Sequence, residues 1–116
     1  MEKIINRVIL KSVSSFKIYA LSINIDEQTY AIFPCKDTLL KSIPKDVGFI
    51  PLPSKIIVNE IKVSGIDTTS GISSILFYPD GTKEPAEIFV TDFSDNKNYE
   101  IKIEPYSLAP TEVSYE

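Results

Sequence analysis

The chain has 116 residues, enough for one domain with a modest core, and its 43% hydrophobic and 24% charged residues give a globular rather than a disordered balance. With no histidine, a single cysteine (Cys35) and four isolated glycines, it cannot build a Ser-His-Asp or Cys-His arrangement, a His-ligated or four-cysteine metal site, an intrachain disulfide or a glycine-rich phosphate loop. The net charge is −4 and no two cations are adjacent, so the clustered cations that neutralise nucleic-acid phosphates are missing.

Near the start, Ile4, Ile5, Val8, Ile9, Val13 and Phe16 recur at three- and four-residue spacing, with Lys3, Arg7, Lys11 and Ser15 between them. This spacing predicts an amphipathic helix over about residues 2–17 whose apolar stripe packs on the chain's own sheet. Its β-branched residues and Ser12, Ser14 and Ser15 lower the intrinsic helix propensity. Next, Tyr19, Leu21, Ile23 and Ile25 alternate with other residues, the period of a half-buried strand. Asp26-Glu27-Gln28 supplies a polar turn, and Thr29 to Phe33 forms a second strand that Pro34 stops.

Residues 35–53 form a loop broken by Pro44, Gly48, Pro51 and Pro53, with Phe49 and Ile50 expected to cover the sheet. Cys35 reads as a half-buried structural thiol, since no histidine is present to activate it. A strand is predicted from Lys55 to Val63, then a polar connection from Ser64 to Gly71. The clearest hairpin signal follows: Ile75 to Tyr78 and Ile88 to Val90 flank a loop punctuated by Pro79, Asp80-Gly81 and Pro85. Tyr99, Ile101 and Ile103 alternate with Glu100, Lys102 and Glu104 in a one-sided strand that Pro105 ends. The tail, 107–116, carries Glu112 and Glu116 and no cation, and either frays or lays down one short edge strand. No run reaches the ~18 apolar residues that span a bilayer, and the start lacks the apolar core of a signal peptide.

Two acidic patterns invite a chemical reading. Asp80 and Glu87 are candidate paired carboxylates, but both fall in the hairpin and read as solvated. The stretch from Asp92 to Glu100 spaces oxygen ligands as a calcium loop does. It lacks the central glycine, and Ile103 stands where the bidentate Glu belongs, so a solvated turn bonding its own backbone describes it better. No catalytic, cofactor-binding or metal-binding residue is assigned.

The sequence Phe77-Tyr78-Pro79-Asp80-Gly81-Thr82, then a short polar loop and Ala86-Glu87-Ile88-Phe89-Val90, resembles the C-terminal half of the GspH/FimT family. Leu52-Pro53-Ser54-Lys55-Ile56-Ile57-Val58 upstream, and the polar turn 92–98 with the strand Tyr99 to Ile103 downstream, extend the resemblance over roughly Leu52 to Ile103. The resemblance implies a non-enzymatic minor pseudopilin without cofactor, whose head assembles with other pseudopilins into the periplasmic filament of a type II secretion system. It implies one α+β domain, an N-terminal helix packed on antiparallel sheet built of hairpins, with a helix remnant at 2–17, a β-rich head at 19–106 and the tail. The stripe Ile4, Ile5, Val8 and Ile9 would continue the helical spine, and Phe77, Pro79, Asp80 and Gly81 are the family's turn.

The family's leader, processing site and hydrophobic helix are expected upstream, with Met1 a new start just after the membrane part. That helix would anchor the protein in the bacterial inner membrane by a single pass, with the head in the periplasm. Glu2 is not the family's acidic residue, because no apolar span surrounds it. The alternatives are a FimT-like minor pilin of a type IV pilus, some of which bind DNA through a basic tail that this chain lacks, and a free-standing carbohydrate- or protein-binding module. Exposed aromatics on one face, from Tyr19, Tyr30, Tyr78 or Tyr106, would favour the module.

Overall fold

The computed structural model describes residues 1–115, with side chains up to Thr111. Helix α1 (Glu2–Ser15) precedes nine strands: β1 (Tyr19–Asn24), β2 (Thr29–Pro34), β3 (Ile50–Pro51), β4 (Ile56–Val63), β5 (Ile66–Thr68), β6 (Ile72–Phe77), β7 (Ala86–Asp92), β8 (Lys97–Ile103) and β9 (Thr111–Tyr115). They form two sheets, in the orders β3-β2-β1-β6 and β5-β4-β7-β8-β9, and every pairing is antiparallel. The fold is α+β, one helix packed on two antiparallel sheets. The main core lies between the inner faces of the sheets and one side of the helix, from Ile4, Ile5 and Val8 through Leu21, Ile23 and Ile75 to Ile61, Ile88 and Ile101.

The segment from Gly71 to Thr91 is not a hairpin. Its first arm, β6, pairs with β1 in one sheet, and its second arm, β7, pairs with β4 and β8 in the other. An isolated bridge, Phe77 to Lys83, closes the turn before the second arm begins. The turn itself forms as its residues dictate: Gly81 donates to the Tyr78 carbonyl at 3.1 Å, Tyr78 donates to Thr82 at 2.8 Å, and Gly81 takes φ 91°. Beyond it, Glu84 fills the pairing positions beside Leu76 with its own backbone N–H and carboxylate, so the returning chain leaves the first sheet. Turn chemistry specifies a reversal of direction, while burial on both sides decides which strand each arm joins.

Four further expectations are corrected. The helix ends at Ser15, and Phe16 takes the left-handed conformation there at φ 55°. The buried line is Ile4, Ile5, Val8 and Ser12, leaving Val13 and Phe16 exposed, at 41% and 83%. β1 is buried on both faces, because the loop after β2 lays Ile43, Val47 and Phe49 over Ala20, Ala31, Phe33 and Leu76. Phe49 covers the sheet as expected, but Ile50 is half exposed and pairs with Tyr30 as β3. The connection 64–71 contains a strand: Ser64 (φ 50°) and Gly65 (φ 81°) make a two-residue turn with both φ positive, and β5 folds back on β4. The tail supplies the edge strand β9; Glu116 and the side chain of Glu112 lie outside the described residues.

One polar side chain ties the two sheets together. Gln28, held at φ 56° in the β1–β2 turn, donates from Nε2 to the carbonyls of Ile25 (2.7 Å) and Val58 (2.9 Å), and its Oε1 accepts the Val58 N–H at 2.8 Å. Val58 is fully buried on β4 beyond the reach of β5, so Gln28 stands in for a missing neighbour strand. Gln28→Ala orphans both backbone groups of Val58, at about 1–3 kcal/mol each. Urea unfolding is expected to show a loss in that range or larger.

Candidate functional site

The helix and the 78–81 turn, read separately from the sequence, meet in the structure. Ser12, buried on the helix, donates to the Ile9 carbonyl at 2.9 Å and approaches the Tyr78 carbonyl at 3.4 Å. A small hydroxyl here lets the helix close onto the turn, where the larger Val13 would hold it off. Ile4, Ile5 and Val8 are buried in this chain's own core, and Ile9 is partly buried at its margin. These residues hold the head on the helix, so the face left free is a different one: Asn6, Leu10 and Val13, four and three residues apart, with Leu10 67% exposed.

The turn is braced from beneath by groups that sequence reasoning missed. Lys83 is only 3% exposed; its Nζ donates to the carbonyls of Gly81 (2.9 Å) and Ser107 (2.5 Å), and burial lowers its pKa. Glu84 accepts the Leu76 N–H at 2.8 Å, pairs with Lys41 at 2.7 Å, and takes the Ser64 hydroxyl at 3.3 Å, touching both sheets. Neither residue differs in the sequence from an ordinary surface charge. Of the four motif residues, Phe77 is buried in the main core, and Asp80 lies in the turn, accepting the Thr82 N–H (2.9 Å) and hydroxyl (2.6 Å). Those bonds hold the Asp80 carboxyl below its ordinary value.

The candidate carboxylates do not come together. While Asp80 serves its turn, Glu87 lies beside Glu100 of the neighbouring strand, and that adjacent carboxyl, helped by burial, raises the Glu100 pKa above its ordinary 4.5. The folded chain therefore binds more protons than the unfolded chain above pH 4.5, and stability falls as pH rises through the raised value. Glu100→Gln is expected to remove that slope. Thermal unfolding should show the variant more stable than the parent at pH 7 and little changed at pH 4.

In the supposed calcium stretch, Asp92 accepts the Ser94 N–H at 2.8 Å and hydroxyl at 2.6 Å, and Asn98 accepts from Thr91 at 2.7 Å. Both oxygens serve local polar bonds, as a solvated turn requires. Cys35 is buried, donates to the Asp37 carbonyl at 3.3 Å, and has its pKa raised by burial, the state of an unreactive thiol. The tyrosines do not share a face. Tyr30 is buried with its hydroxyl 3.5 Å from Arg7, Tyr19 and Tyr78 pack on different clusters, and Tyr106 stands out at 88% exposure. The aromatic platform of a carbohydrate-binding module is not assembled from them. No helix among the described residues is long and apolar enough to cross a membrane.

No protein-family model and no curated protein sequence matches the chain. Among solved structures, its fold is similar to that of the minor pseudopilin EpsH from the Type 2 Secretion System of Vibrio cholerae. The TM-score is 0.57, at 11% sequence identity, over 97% of this chain and 96% of that one. Helix and both sheets fall within the match, so the chain shares that protein's fold.

Proposed function

We propose that this chain is the head of a minor pseudopilin, a non-enzymatic subunit that assembles with other pseudopilins into the pilus-like filament of a type II secretion system. The observation that carries the reading is the fold shared with EpsH over nearly the whole of both chains, with the helix at the N-terminus. A subunit of this kind works by packing and recognition. Its helix has two jobs, and the two faces divide them. Ile4, Ile5, Val8 and Ser12 hold the head, while Leu10 and Val13 remain free to meet neighbouring helices. An apolar helix upstream would anchor the protein in the inner membrane, with the head in the periplasm, and α1 would be its continuation. The turn at Phe77, Pro79, Asp80 and Gly81 then sets how the head sits on the spine, because Tyr78 within it meets Ser12.

The test places a cysteine at Leu10 in a Cys35→Ser background of the full protein in its source cells, followed by thiol cross-linking and mass spectrometry. Adducts to subunits that carry a pilin-type N-terminal helix are expected. Monomer alone, with the variant present at normal level, overturns the reading.

A further inference from the structure

The first sheet ends in a strand whose outer edge is only partly covered. Along β6, the backbone groups of Phe77, Ile75 and Ser73 face β1, and those of Leu76, Ser74 and Ile72 face outward. Leu76 is fully occupied: its N–H goes to the Glu84 carboxylate at 2.8 Å and its carbonyl accepts the Glu84 N–H at 3.0 Å. The Ser74 carbonyl accepts Lys41 Nζ at 3.1 Å. The Ser74 N–H and both groups of Ile72 have no partner among the described residues, and they open on a groove of about 410 Å³ walled by Leu40, Ile43, Val63, Ile66 and Ile72.

Such an edge templates another strand. Two copies meeting antiparallel about a two-fold axis would set Ile72 of one against Ser74 of the other, and each such pair would exchange two ladder bonds. The exchange needs the Ser74 carbonyl in both copies. Lys41 already occupies it.

The chain goes to some length to put Lys41 there. The Asp37 carboxylate accepts the N–H groups of Leu39 (3.2 Å) and Leu40 (3.1 Å), its carbonyl accepts the Lys41 N–H at 2.7 Å, and Lys41 is held at φ 52°, a conformation lysine disfavours. Glu84 then fixes the ammonium at 2.7 Å, with both side chains mostly buried. We propose that the Lys41–Glu84 pair is an edge guard, which keeps β6 from pairing with β6 of a second copy of this chain. A cation directed onto an edge carbonyl removes one acceptor, and the ion-paired side chain that carries it stands where an incoming strand would lie. The guard acts whatever larger assembly the chain joins.

The experiment is sedimentation of the chain and of Lys41→Ala over a range of concentrations, with amide hydrogen exchange read at Ile72 and Ser74. The parent is expected to stay monomeric, while Lys41→Ala forms a species of twice the mass in which exchange at those two amides slows. Glu84→Gln, which keeps an oxygen for Leu76 but loses the ion pair, should shift the same way with the fold retained. Adding Ile72→Lys to Lys41→Ala should return the monomer. Folded Lys41→Ala and Glu84→Gln proteins that both remain monomeric overturn the proposal, and so does a dimer that survives Ile72→Lys.

Discussion

Phe77→Ala is expected to cost about 3–5 kcal/mol, as truncation of a buried phenylalanine does in a core that cannot collapse around the space. Phe77 is 1% exposed, ends β6 beside the tight turn, and packs in the cluster that joins both sheets to the helix. Against a total of about 5–15 kcal/mol for a domain, such a loss leaves little margin. Phe16→Ala is the control: the same residue type, placed by its spacing in the helical stripe, stands outside the core, and its loss should stay within ~0.5 kcal/mol. Urea denaturation of the two variants separates them. Equal midpoints would contradict the helix boundary and the burial described here.

The second large effect is on assembly. Leu10→Lys with Val13→Lys leaves the head intact, since both positions are exposed and lysine suits the last turns of a helix. If that face packs on neighbouring helices, each lysine carries an unpaired charge into a buried contact, at about 3–5 kcal/mol. At 1.4 kcal/mol per factor of ten, recovery of the subunit with its neighbours should fall at least about a hundredfold. The variant's unfolding midpoint is expected to match the parent's. Undiminished co-assembly would show that the free helix face is not the contact surface.

The residues made part of this legible and hid the rest for physical reasons. Alternation marks a strand with one wet face, so β8 and the β1–β2 pair were readable, but alternation does not reveal that the 35–49 loop buries the second face of β1. The turn at Pro79-Asp80-Gly81 is local chemistry and formed as read; the destination of its two arms is not local, and they parted into different sheets. The helix stripe ran too far because Val13 and Phe16 fit the spacing, whereas Ser12 is buried through a contact with a turn 66 residues away. Gln28, Lys83 and Glu84 each satisfy backbone groups from inside the fold. A polar side chain looks the same in a sequence whether it faces water or a buried carbonyl, so none of the three could be found there.

The most direct test of the account is the intact mass and N-terminal peptide of the native protein, extracted from membranes of its source cells. A pilin-like subunit predicts a species a few kilodaltons heavier than this 13.0 kDa chain, beginning with an N-methylated residue and an apolar run that leads into α1. A species found only in the soluble fraction and starting at Met1 would contradict it.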